Sequence, residues 1–186
     1  MSTTPVCCRS PLVGLIAGIA LVNLGACGPP GPYVPEQSMV QDPEFDRELR
    51  GLLRFTVPVV SVDQLRAVRE DVVLLDTRSR AEFDVSHIAG ARFVGYDEFD
   101  PEAVRDIPRD ATIVLYCSVG HRSEEIGRRL KDLGYRNVHN LYGSIFEWVN
   151  RGYPVVDSEG NRVDKLHTYD AQWSQWVTHE AITKTW

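Results

Sequence analysis

Val72-Val73-Leu74-Leu75 constrains the fold more than any other stretch, because four apolar residues in succession leave a strand no face for water. A strand with one wet face alternates, whereas an unbroken run belongs in a parallel sheet covered on both sides. Thr112-Ile113-Val114-Leu115-Tyr116 reads as a second buried strand, and Asn137 to Leu141 as a last one. Helical signals lie between these strands. Ser61 with Gln64, and Ser79 with Glu82, have the three-residue spacing of a capping box, in which each side chain satisfies an orphan N–H of the first turn. The first of these helices carries Leu65 and Val68 inward, and the second is short and buries Phe83.

Other elements follow from local chemistry. Residues 44–54 suit a short lead-in helix, Val57 to Val62 a strand with Pro58 near its start, and Ala91 to Val94 a further strand. Asp100 followed by Pro101 is a cap with proline at the first helical position, so a helix is expected from Pro101 to about Ile107. Ile126, Leu130 and Leu133 recur at helical spacing as one buried stripe, with Glu124–Arg128 and Glu125–Arg129 as ion pairs on the solvent side and Gly134 as the stop. Ser144 to Asn150 is expected to be helical and to bury Ile145, Phe146 and Trp148 or Val149. Strands alternating with helices imply the α/β class, one domain with a mainly parallel sheet covered by helices on both faces.

Cys117-Ser118-Val119-Gly120-His121-Arg122-Ser123 lies between the strand at 112–116 and the helical stripe. The first-turn N–H groups of a helix lack intrahelical partners and its dipole is positive there, so an anion is stabilised. A thiolate is such an anion. His121 and Arg122 stand beside it, and Gly120 allows the loop to turn back. Most free cysteines are inert small hydrophobes, but this position and these neighbours favour a reactive one.

The loop resembles the active-site loop of the rhodanese-like sulfurtransferases, in its Cys-x-x-Gly-x-Arg-Ser pattern between strand and helix. Leu74-Leu75-Asp76-Thr77-Arg78, Glu82-Phe83 and His87-Ile88-Ala89-Gly90-Ala91 resemble that family's upstream signature. Leu133-Gly134-Tyr135, Val138, Leu141, Gly143 and Trp148 resemble its downstream run, with Ser144 where a second glycine is usual. The resemblance covers residues 51–156. It implies that Cys117 is the catalytic nucleophile, and that Ser118, Val119, Gly120, His121, Arg122 and Ser123 bind substrate. Asp76 and Arg78 would mainly brace the domain, with Arg78 pairing Glu82, and His87 is expected to hydrogen-bond nearby backbone. The implied partners are a small sulfur-containing anion or persulfide as donor and a thiol or cyanide as acceptor. No cofactor and no metal site is implied. Two competitors remain: a non-catalytic binding or redox-sensing module, and a phosphatase. Phosphatases of related fold have Cys-x5-Arg, and the loop here is one residue shorter.

The formal charge is −6, and no basic cluster with interleaved aromatics occurs, so nucleic acid is not an expected partner. Residues 1–26 read as a signal peptide: a short start with Arg9, then an uncharged run from Leu12 to Val22 too glycine-rich for an ideal spanning helix. Leu24-Gly25-Ala26-Cys27 resembles a bacterial lipoprotein signal, with Cys27 lipidated to tether the chain to a membrane, and an uncleaved anchor is the alternative. Either way the domain is expected outside the cytoplasm, in the envelope, on the periplasmic side of the outer membrane in a two-membrane host. Of the four cysteines, Cys7 and Cys8 would leave with the signal, so Cys117 would be the one free thiol. Residues 27–50 are a Gly/Pro-rich tether and lead-in. Residues 157–186 form a C-terminal extension, where Leu166, Tyr169, Trp173 and Trp176-Val177 fall at spacings of three and four. That pattern predicts an amphipathic aromatic helix packed on the domain.

Overall fold

The alternation of apolar runs and capping boxes produces a five-stranded, wholly parallel sheet in a computed structural model that describes residues 33–186. The signal at 1–26, lipidation at Cys27 and the first part of the tether lie outside the described residues. In chain order the elements are α1 (Pro43–Leu52), β1 (Val59–Val60), α2 (Val62–Ala67), β2 (Val73–Asp76), α3 (Arg80–Val85), β3 (Arg92–Phe93), β4 (Thr112–Tyr116), α4 (His121–Asp132), β5 (Asn137–Leu141) and α5 (Ser144–Asn150). The sheet order is β1-β5-β4-β2-β3, which puts β4 at the centre.

The period of two along β4 explains why Ile113 to Tyr116 are buried without a break. Val114 and Tyr116 face a group that contains Phe45 and Leu49 of α1, Leu65 of α2 and Ile145, Phe146 and Val149 of α5. Ile113 and Leu115 face the other side, where Ile126 and Leu130 of α4 meet Val104, Ile107 and Val138. Both faces are therefore covered, as the α/β reading requires. Both capping boxes form, with Ser61 and Ser79 each accepting from the N–H three residues on. His87 Nδ1 lies 3.1 Å from the Phe83 carbonyl, a local backbone contact.

Several expectations need correction. The strand expected over 57–62 pairs only at Val59–Val60, because Pro58 has no N–H to give and Ser61 already starts the next helix. The helix expected from Pro101 to about Ile107 is a 3-10 turn over Pro101–Val104. Ile107 precedes Pro108, which disfavours helical backbone there. In α4, Leu133 lies at the C-cap and is 38% exposed, outside the buried stripe. Glu124 is not on the solvent side. It is buried and accepts from the Arg54 and Thr56 N–H groups (3.0 and 2.6 Å) and the Thr56 hydroxyl (2.9 Å), clamping the lead-in segment to α4. Arg128 pairs instead with Glu125 and Asp132.

The amphipathic helix expected in the extension does not form. Beyond β6 (Val155–Val156) and β7 (Arg162–Val163), which form a two-stranded antiparallel pair, β8 (Lys165–His167) runs parallel to β9 (Thr183–Thr185). Between β8 and β9 the only helical turn is a 3-10 turn at Trp173–Trp176. Leu166 is committed to β8, and Tyr169 has φ +71, a left-handed conformation that no helix can continue through. The apolar positions still pack on the domain: Leu166 and Val177 are buried, and Trp176 stacks on Phe45 at 5.3 Å.

Candidate active site

β4 delivers Cys117 at its carboxyl end, the side of an open α/β sheet where ligands bind. The chain then turns through Gly120, whose φ of +120 is the conformation that glycine alone adopts without strain, and enters α4 at His121. That turn aims the Gly120 N–H at Cys117 Sγ, 3.1 Å away. Burial alone would push the thiol up. The Arg122 charge and the N–H groups of Ser123 and Gly120 outweigh it, so Cys117 sits below the ordinary thiol value.

The loop is braced from two elements that the sequence reading did not assign to the site. Asn140, in β5, donates to the Gly120 carbonyl at 2.9 Å and accepts from the Ser123 hydroxyl at 2.7 Å. β5 reads Asn137-Val138-His139-Asn140-Leu141, so Asn140 is one of three polar residues in its strand and nothing in the sequence singles it out. Ser144 Oγ accepts from the Cys117 N–H at 3.2 Å and donates to the Leu141 carbonyl at 3.1 Å, while the Ile145 and Phe146 N–H groups donate to the carbonyls of Cys117 and Ser118. Ser144 makes these contacts from a left-handed backbone, φ +52. The left-handed backbone explains why glycine is the usual residue at such a position, and the hydroxyl supplies a bond glycine lacks.

Arg122 is placed differently from the expectation. Its Nη1 and Nη2 each donate to a Glu82 oxygen at 2.7 Å, and Nη2 also donates to Ser118 Oγ at 2.9 Å. Ser118 Oγ itself donates to Glu82 at 3.1 Å. Burial raises the Glu82 carboxyl, but these bonds and the Arg122 charge win and hold it at about 2. The pairing of Arg78 with Glu82 is therefore overturned. Arg78 instead forks onto Asp76 (3.1, 3.1 and 2.7 Å) and donates to the Ser86 carbonyl at 2.6 Å, entirely buried. This pair braces β2 against the turn after α3, and Arg78 is not among the residues that line the Cys117 cleft. Sequence reasoning assigned Glu82 to the capping box with Ser79 and to Arg78, so its place beside Arg122 was missed.

Cys117, Ser118, Val119, His121 and Arg122 line one cleft of about 360 Å³. Gly120 and Ser123 act from behind it. The remaining walls come from Leu52 at the end of α1, Tyr96 and Asp97 after β3, and Tyr169 and Trp173 of the extension. Sequence reasoning had not linked any of these five to the thiol.

Residues 61–151 match the family model described as the rhodanese-like domain. The chain is similar to a sulfurtransferase of Allochromatium vinosum, 37% identical over 100 residues that span 54% of this chain and 92% of that one. It is also similar to a tRNA uridine(34) hydroxylase of Pectobacterium carotovorum, 33% identical over 99 residues, 50% of this chain but only 28% of that protein's length. Among solved structures it resembles the rhodanese-like domain of an Anabaena protein, with TM-score 0.50 and 21% identity over 54% of this chain and 79% of that one, a likeness of fold.

Proposed function

The chain belongs to the rhodanese-like family, and we propose that it is a sulfurtransferase that carries sulfane sulfur on Cys117. The Cys117 thiolate attacks the outer sulfur of an anionic donor such as thiosulfate. The bond between the two donor sulfurs breaks, sulfite leaves with the electron pair, and a persulfide remains on Cys117. A thiolate or cyanide then attacks the outer persulfide sulfur, and the Cys117 thiolate is regenerated. The observation that carries this reading is the Cys117 Sγ under the Gly120 N–H at 3.1 Å, at the positive end of α4 and facing the cleft. Loop amides so arranged stabilise the anionic persulfide as they do the thiolate. His121 and Arg122 contribute at the mouth, Arg122 through its field rather than as an unengaged anion receptor. The bidentate Arg122–Glu82 pair also argues against phosphate-ester hydrolysis, which needs the guanidinium to fork onto phosphate.

We further propose that the signal at 1–26 is removed and that Cys27 is lipidated, which would carry a sulfur-transferring domain at 51–156 on a tether at 27–50. The envelope location rests on the uncharged run and on Leu24-Gly25-Ala26-Cys27. The intact mass of the purified protein after thiosulfate treatment tests the chemistry. A one-sulfur gain is expected in wild type and none in Cys117→Ser. A gain that persists in Cys117→Ser refutes the mechanism.

A further inference from the structure

The cleft over Cys117 offers a small dianion no uncommitted guanidinium. Its one guanidinium, Arg122, is already forked onto Glu82, and Asp97 adds a carboxylate to the lining. The volume, about 360 Å³, falls in the range of about 300–1,000 Å³ typical of sites for organic ligands. Leu52, Tyr96, Tyr169 and Trp173 supply its walls, so an apolar body would be covered on several sides.

Tyr169 is the residue least explained by folding. It is 55% exposed, it holds a left-handed backbone at φ +71, and its ring stands 5.2 Å from the Arg122 guanidinium carbon. An exposed aromatic on a strained backbone is a candidate for function, since the strain must be supported by the surroundings. That support is visible. The Tyr169 N–H donates to His167 Nδ1 at 3.1 Å, and the Trp173 N–H donates to Asp170 at 2.8 Å. Leu166 and Val177 anchor the segment on either side in the core. The backbone that carries the two rings is thus fixed before any ligand arrives, which lowers the ordering cost of binding.

We propose, resting on the sulfurtransferase reading, that Tyr169 and Trp173 are specificity-determining residues that select an organic sulfane donor. The donor class is a thiosulfonate monoanion, R–SO2–S⁻, in which R is aromatic or bulky and apolar. The Cys117 thiolate attacks the terminal sulfur, and the sulfonyl–sulfur bond breaks. The sulfinate R–SO2⁻ leaves with the electron pair, and the persulfide anion remains on Cys117. Two negative charges enter the step and two leave it, and no oxidant or reductant is consumed. The R group lies against the rings, and the single donor charge suits a cleft whose one guanidinium is already paired with Glu82 better than the two charges of thiosulfate do.

The test is single-turnover sulfur loading of the full chain, read as sulfinate or sulfite release and as intact mass. The donors are benzenethiosulfonate, methanethiosulfonate and thiosulfate. Each rate is divided by the rate of the same donor with cysteine in solution, which removes intrinsic reactivity. Wild type is expected to favour the benzene donor over the methane donor by about tenfold or more, the scale on which apolar pockets discriminate. Tyr169→Asn, which tolerates the left-handed backbone, and Trp173→Leu should bring that ratio towards one, and Tyr169→Phe should keep it. A general loss of stability would lower all donors together and leave the ratio unmoved. A wild-type ratio near one, or a ratio unchanged in Tyr169→Asn, overturns the inference while sulfur transfer stands. Loading from none of the three donors overturns the sulfurtransferase reading and the inference with it.

Discussion

Replacing Glu82 by Gln should separate what the Glu82–Arg122 pair does for stability from what it does for the thiol. The Glu82 side chain is 2% exposed, so solvent screens it little, and its carboxyl is held at about 2 against an ordinary 4.5. Each tenfold in the acid constant corresponds to about 1.4 kcal/mol, so ionised Glu82 contributes on the order of 3 kcal/mol to the folded state. That figure is near the roughly 3–5 kcal/mol found when one partner of a buried pair is removed. The folded pKa is depressed, so this contribution is present above about 4.5 and is lost as the pH falls towards about 2. Urea unfolding between neutral pH and pH 3 is the assay. Glu82→Gln should lose about 3 kcal/mol at pH 7 and show a flatter acid limb than wild type below about 4.5. The same variant leaves the Arg122 charge without its counter-ion, so the pH profile of Cys117 alkylation should move to lower pH. If Glu82→Gln unfolds within about 0.5 kcal/mol of wild type with the same acid limb, the ion pair is energetically idle and the argument fails.

Arg122→Ala removes the charge that most lowers Cys117 and strips Glu82 of its partner, so iodoacetamide alkylation should titrate closer to the free-thiol value of about 8.5. Adding Glu82→Gln to that variant should recover part of the stability without restoring the low titration point, and full restoration would refute the role of Arg122. Ser144→Ala leaves the buried Cys117 N–H without an acceptor and keeps a Cβ on a left-handed backbone. It should therefore be less stable than Ser144→Gly by about 1 kcal/mol in urea titrations, because only glycine relieves the backbone cost. Cys27→Ala should shift the protein from membrane to soluble fractions in a lipoprotein-processing host, as loss of a multi-chain anchor requires. Unchanged fractionation would remove the lipid proposal.

What the chain itself dictated is local or periodic. The capping boxes at Ser61 and Ser79 close within three residues, so their partners are written side by side. The unbroken runs at 72–75 and 113–116 demand cover on both faces wherever they lie, and their alternation with helical signals then specifies a parallel α/β sheet. Cys117 ahead of an α-helix was legible for the same reason, since strand, turn and helix are consecutive. What the tertiary structure decided depends on pairs distant in sequence. Arg122 meets Glu82 forty residues back, and nothing local distinguishes Glu82 as its partner from Glu124, which is drawn inward by Arg54 and Thr56. In the extension, spacings of three and four satisfied a helix, yet β8 gains more by pairing with β9, and the positive φ at Tyr169 then breaks the period. That outcome brings Tyr169 and Trp173 over Cys117, because long-range strand pairing and burial of Leu166 and Val177 outweigh a helical propensity that is weak wherever tertiary packing competes with it.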